Sequence, residues 1–243
     1  MFILLAQTPP GFEVSSIKPS PPGDTRPPLV GYPAGRLTTV NASLLFLIRF
    51  AYDLREDQIL NAPGWIASTS YDIEAKARND VPFPSGTEGA RQIRRMTQGL
   101  LADRFKLAAH QETRQEPVYR LTIDKGGVKM KATENKPGPL TIRTGRLTGE
   151  SVTIPALIKL LTGPAGRPIL DQTGLTARYD FELKYSPELT SGGAAVGPDA
   201  TPPDPNAPSI FTAVREQLGL RLEPSRGTVE VLVIEHVENP SEN

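Results

Sequence analysis

The 243-residue chain carries 27 Lys and Arg against 27 Asp and Glu, so its formal net charge is zero, which argues against a general nucleic-acid binder or a polybasic membrane-surface protein. It has no cysteine, which excludes disulfides, thiolate nucleophiles and zinc–thiolate sites, and its two histidines leave little for metal or acid–base chemistry. Its 21 Gly and 25 Pro make about a fifth of the residues, against a usual ~12%, while a hydrophobic fraction of 38% suffices for small cores.

The chain starts Met-Phe-Ile-Leu-Leu-Ala-Gln. The apolar run 2–6 is far too short to span a membrane. It resembles the end of an export signal without the basic leading region, so 1–11 reads as a signal-peptide remnant or a disordered N-terminus. A strand is expected over 12–18, and the Pro/Gly-rich stretch 19–34 reads as irregular. Gly35-Arg36-Leu37-Thr38 opens a second strand. Leu44, Leu47, Ile48 and Ala51 then recur at helical spacing behind Ser43, a natural N-cap. A short strand at 58–60 leads to a turn ending at Gly64. Tyr71-Asp72-Ile73-Glu74-Ala75-Lys76 alternates as a strand does. Ile93, Met96, Leu100 and Leu101 mark a second helix, with Arg91, Arg94 and Arg95 on another face. Two strands, 104–110 and 117–123, are expected to close this portion around a polar turn.

The same blocks then return. Residues 35–65 align with 145–175 without a gap, at an offset of 110, and nine of the 31 pairs are identical; random pairing gives about two. Tyr179-Asp180-Phe181-Glu182-Leu183-Lys184 repeats the alternating strand at nearly the same offset. In this second portion a first strand is expected over 140–143, then a helix with Thr153 as cap and Pro155 in its first turn, where a missing N–H costs nothing. A helix behind Ser209 follows, and then strands at 219–223 and 228–237 around a turn at Gly227. The expected fold class is α+β: two tandem copies of a small β-β-α-β-α-β-β unit, helices packed on small sheets, over 12–135 and 139–243. The second copy contains a Pro/Gly-rich insertion at 186–208, too poor in large apolar residues to pack.

Several blocks together resemble an uncharacterised, soil-associated bacterial family. They are Phe12-Glu13-Val14-Ser15-Ser16-Ile17-Lys18-Pro19, Leu100-Leu101-Ala102-Asp103-Arg104-Phe105-Lys106-Leu107, Glu116-Pro117-Val118-Tyr119, Gly166-Arg167-Pro168 through Gly174-Leu175, and Val233-Ile234-Glu235-His236-Val237-Glu238. The resemblance covers nearly the whole chain. It implies an extracytoplasmic protein, since members usually carry export signals. Some similar domains follow membrane-embedded metallopeptidase modules of the antibiotic-sensing kind. It assigns no activity and no catalytic residue. The unit itself also resembles the short N-terminal interaction domains of secretins and TonB-dependent receptors, at the level of fold alone.

The candidate polar or interaction residues are Trp65, Tyr71, Asp72, His110, Asp171, Tyr179, Asp180 and His236. Tyr71-Asp72 and Tyr179-Asp180 read either as a twofold-related polar site or as fold determinants, with Tyr packed on the helix and Asp bonded to a neighbouring turn. The second reading is preferred, because letters kept by both copies are most simply structural. Asp171, matched by Asn61, precedes the Gly174 turn. His110 and His236 each follow an end strand beside a glutamate; surface histidines are preferred over a shared metal. Trp65, matched by Leu175, reads as an apolar anchor. The arginines of the second helix read as a solvated face. Nucleophile elbows, Walker loops and dinucleotide fingerprints are absent from the sequence. The expected function is therefore a non-catalytic, extracytoplasmic binding or protein-interaction module. Its partner would be a protein or peptide of the cell envelope, with no nucleic acid, no transmembrane segment and no cofactor. The alternatives are an envelope hydrolase using carboxylates and the sensor domain of a signalling system. The oligomeric state is left open.

Overall fold

Phe12–Pro19 forms the first strand (β1), with Ile17 buried and Glu13 and Lys18 exposed. A short strand, Leu29–Gly31 (β2), precedes β3 (Arg36–Ser43). At the end of β3 the Ser43 hydroxyl accepts the Phe46 N–H at 3.2 Å, and this cap starts α1 (Leu44–Tyr52). The helix stops at Asp53, which takes the left-handed conformation at φ 56°. Then come β4 (Ile59–Leu60), the single-turn α2 (Trp65–Ser68), β5 (Ser70–Ala77), α3 (Gly86–Arg104) and β6 (Ala108–Ile123). The chain continues through β7 (Lys131–Thr133), β8 (Leu140–Arg143) and β9 (Arg146–Thr153) to α4 (Ile154–Ala165), with proline at its start. It ends with β10 (Ile169–Asp171), β11 (Arg178–Lys184), α5 (Ile210–Ala213) running into a π-turn at Val214–Leu218, and β12 (Leu220–His236).

The computed structural model describes residues 11–77, 83–84, 86–143, 145–186 and 207–240. The α+β class is as expected. Two compact units result: Met1–Thr113 with Glu230–Asn243, and Arg114–Val229. In the first, the sheet order is β1-β5-β3-β2. Its inner face packs Leu37, Tyr71, Ile73 and Ala75 on α1 and α3, where Leu47, Ile48, Ile93 and Leu101 are buried. Each such Leu or Ile contributes about 1.5–3 kcal/mol on burial. In the second unit the order is β7-β11-β9-β8, over a separate core of Leu147, Phe181, Leu183, Leu157, Leu161 and Val214. Each unit also holds a short parallel pairing: Ile59 with Leu232 in the first, and Ile169 with Tyr119 in the second.

The two sheets pair in the same register. Arg36↔Lys76, Leu37↔Ala75, Thr38↔Glu74, Thr39↔Ile73, Ala42↔Tyr71 and Ser43↔Ser70 stand in the first. Arg146↔Lys184, Leu147↔Leu183, Thr148↔Glu182, Gly149↔Phe181, Val152↔Tyr179 and Thr153↔Arg178 stand in the second. Both ladders slip at one place, between Thr39 and Ala42 and between Gly149 and Val152. The outward faces match too: Lys18 lies opposite Asp72, and Lys131 opposite Asp180. One pair differs by exchange of bulk. A Cβ on Gly149 would come within 2.6 Å of Val152 and 2.7 Å of the Phe181 ring, so the glycine makes room for both side chains. Thr39 and Ile73 share that volume in the other sheet.

Several expectations need correction. The strands expected at 104–110 and 117–123 are one strand, β6, and those at 219–223 and 228–237 are one strand, β12. Gly227 is not in a turn: a Cβ there would meet Leu170 at 2.5 Å and Val118 at 3.1 Å, so close packing requires the glycine. The stretch 19–34 holds β2 and leads into a 3-10 turn at Pro33–Gly35. The strand at 140–143 is the counterpart of β2, and β7 is the counterpart of β1. The compact units also divide elsewhere than 12–135 and 139–243, because β4 bonds to the last strand of the chain. Residues 1–10 of the expected N-terminal segment and 187–206 of the expected insertion lie outside the described residues.

Candidate functional site

The Tyr-Asp pairs sit where the two ladders slip. A β-bulge leaves one backbone N–H without a ladder partner. At the first bulge that residue is Asn41, with φ 47°, and its N–H donates to the Asp72 carboxylate at 2.8 Å. At the second it is Ser151, with φ 52°, and its N–H donates to Asp180 at 2.8 Å. Positive φ is uncommon for residues other than glycine, and both cases recur at one ladder position. Asp72 also accepts from the Ser20 hydroxyl at 2.8 Å and from Arg26 at 3.0 Å. Partial burial pushes its carboxyl up, but the Asn41 amide, the Ser20 hydroxyl and the Arg26 guanidinium together hold it below the usual carboxylate range. The bulge residues pin neighbouring loops. The Asn41 side-chain Nδ2 donates to the Arg26 carbonyl at 2.6 Å, and the Ser151 hydroxyl to the Asn135 carbonyl at 2.5 Å.

The tyrosines point the other way, into the cores. Tyr71 is 2% exposed, meets Phe105 edge to face at 5.1 Å and donates its hydroxyl to Asn239 at 3.0 Å. Burial pushes its phenol up. Tyr179 is buried in the second core. Trp65 and Leu175 are half-buried, each packed on the core of its own unit.

The remaining candidates are exposed. Asp171 accepts from its neighbour Thr173, from N–H at 2.9 Å and from hydroxyl at 2.7 Å, closing the turn before Gly174. His110 lies between Glu112 at 2.9 Å and Glu235 at 2.8 Å, one carboxylate on each ring nitrogen. Its pKa is raised, first by the Glu112 hydrogen bond and then by Glu235. His236 pairs with Glu238 at 2.7 Å. A metal binds one ring nitrogen, so carboxylates on opposite sides of a ring do not converge on an ion. Among the described residues no group of three or more His, Asp or Glu is arranged to hold a metal. Arg91 pairs with Glu88 at 2.7 Å and Arg94 with Asp53 at 3.1 Å.

One cleft lies on the outward face of the second unit's sheet. Its volume is about 560 Å³, and its lining includes Pro139, Thr141, Thr148, Glu150, Asp180 and Glu182. Glu182 is held below its usual range by its hydrogen bond from Lys184, with Arg146 adding to this against a smaller opposing effect of burial. A general acid needs the opposite shift. Beside the cleft runs β8, one of the two edge strands of this sheet, with Leu140 43% and Ile142 65% exposed. Sequence reasoning missed this edge and missed the bulge residues Asn41 and Ser151. Among the described residues no helix is long and apolar enough to cross a membrane.

Residues 46–237 match the model of a protein family of unknown function, DUF3738, and the chain belongs to that family. No curated protein and no solved structure matches it significantly.

Proposed function

We propose that this DUF3738 chain is a non-catalytic binding module that engages a protein or peptide outside the cytoplasm. One observation carries the reading: the polar side chains shared by the two sheets are used up in local structure. Asp72 and Asp180 hold bulges, Asp171 closes a turn, and both histidines are occupied by glutamates. What stays open to a partner is strand edge and sheet face, the surfaces that proteins use for strand addition. The extracytoplasmic setting is implied by the resemblance of the sequence blocks and agrees with the lack of cysteine. A sensor domain would use the same surfaces. We further infer that the two sheets descend from one duplicated unit; their equal register and equal bulges support this.

A second reading, a carboxylate hydrolase, has one observation in its favour: Glu150, Asp180 and Glu182 share a cleft. Against it stand the depressed Glu182 and the engagement of Asp180 by Ser151. Affinity capture with the full chain from an envelope extract tests the binding reading. A reproducible partner, recovered equally by the Glu150→Gln and Glu182→Gln variants, is expected. Recovery of no partner, together with a hydrolytic activity that these variants abolish, would replace the binding reading with the enzyme.

A further inference from the structure

We propose that the chain pairs with a second copy of itself through the free edge of β8, which goes beyond the binding reading above. Glu150 N–H bonds the Pro139 carbonyl at 3.2 Å, and Gly138 N–H bonds the Glu150 carbonyl at 3.1 Å. In an antiparallel ladder bonded pairs alternate. With Thr141 opposite Thr148 and Arg143 opposite Arg146, residues 139, 141 and 143 therefore turn their peptide groups toward β9. Leu140 and Ile142 turn theirs away from the sheet, and among the described residues nothing bonds them. The side chains of these two residues fall on the helix side of the sheet, opposite Gly149 and Leu147, yet remain 43% and 65% exposed.

The other edges of the two antiparallel sheets carry proline or charge. Around β2 stand Pro27, Pro28 and Pro33; β1 carries the exposed charges Glu13 and Lys18; β7 is three residues long and starts with Lys131. Proline and charge are the usual protection against edge pairing. Among the described residues of these two sheets, β8 presents two large exposed apolar side chains beside unbonded peptide groups, whereas β2 presents one, Leu29.

The edge is self-complementary. In an antiparallel pairing centred on Thr141, Leu140 faces the partner's Ile142 and Ile142 faces the partner's Leu140, closing one apolar patch. On the opposite face Arg143 comes across from the partner's Pro139, whose neighbour on the next strand is the partner's Glu150. Arg143 and Glu150 are both exposed, and neither makes an ion pair among the described residues. The two-fold axis thus brings unpaired opposite charges together twice, at the mouth of the cleft that Glu150 and Thr141 line. Four residues on each side form a small interface, so the dimer is in a concentration-dependent equilibrium.

Sedimentation velocity on the full chain, from about 10 μM to about 1 mM, tests this. A monomer–dimer equilibrium is expected, weakened at least about tenfold by Ile142→Lys. Arg143→Glu and Glu150→Arg should each weaken it about fivefold, and the two together should return it to within about twofold of the parent. Melting curves of all variants should match the parent, since the replaced side chains are exposed. A chain that stays monomeric at the highest concentration overturns the proposal, as does a dimer indifferent to Ile142→Lys or charge reversals that fail to rescue each other. Such a failure leaves the binding reading intact, because that reading depends on capture of an envelope partner.

Discussion

Replacing Asp72 by alanine removes three hydrogen bonds at once: those from the Asn41 amide, the Ser20 hydroxyl and Arg26. A hydrogen bond to a charged group is worth about 1.5–3 kcal/mol, and a buried donor left unpaired costs about as much. The Asp72 side chain is 34% exposed and Arg26 is 51% exposed, so water replaces part of this and the ion pair adds little. The main loss is the amide of a residue held at φ 47°. The expected cost of Asp72→Ala is about 2–3 kcal/mol, and of Asp72→Asn about 1 kcal/mol. Asp180 makes the bulge bond to Ser151 at 2.8 Å, and its replacement by alanine should cost about 1–2 kcal/mol. Urea unfolding followed by tryptophan fluorescence reports the Asp72 effect, because the single tryptophan, Trp65, belongs to the same unit. The Asp72 carboxyl lies below its usual range when folded. Its contribution is therefore complete above the unfolded value of about 4 and is lost as pH falls through the folded value. The stability gap between parent and Asp72→Asn should close in strong acid. A cost below about 0.5 kcal/mol for Asp72→Ala would refute the reasoning, since exposed polar sites behave that way.

Two further outcomes follow from the geometry. Gly149→Thr should destabilise the second unit by about 2 kcal/mol through collision with Val152 and Phe181. Adding Phe181→Ile and Val152→Ala, which recreates the Thr39, Ala42 and Ile73 set of the other sheet, should recover most of that loss, and a mutant cycle by thermal unfolding measures it. His110 should titrate above the ordinary histidine value of about 6.5, and Glu112→Gln should lower its midpoint, as read by NMR. Being raised, its protonated form favours folding at pH below the unfolded value, and the contribution is lost as pH rises through the folded one.

Helices α1 and α4 were legible because an apolar stripe follows a capping residue. The Ser43 hydroxyl makes its cap bond, whereas Thr153 occupies the cap position without one. The middle of β6 was read as a turn because Gln111–Glu116 lies on a stretch of strand that is mostly exposed on both faces, which leaves no alternation to read. In β12, Pro224 and Gly227 imitate turn signals, yet the glycine is there for Leu170 and Val118. Strands β2 and β7 are three residues long and carry no pattern. The aspartates of the Tyr-Asp pairs were visible as repeated letters. Their partners Asn41 and Ser151 were not, because a positive φ is served here by two different residues and identity alone does not mark them. The β8 edge was hidden for a related reason: Leu140 and Ile142 alternate like core residues, and only strand order shows that nothing covers them.

The claim that most of the account rests on is that the repeated aspartates lock two equivalent bulges. Amide hydrogen exchange at Asn41 and Ser151 tests it directly. Both amides should be protected well beyond free-chain rates; Asp72→Ala should release the first alone, and Asp180→Ala the second alone. If both exchange freely in the parent chain, or ignore these substitutions, the carboxylates are not holding the backbone and are free for other work.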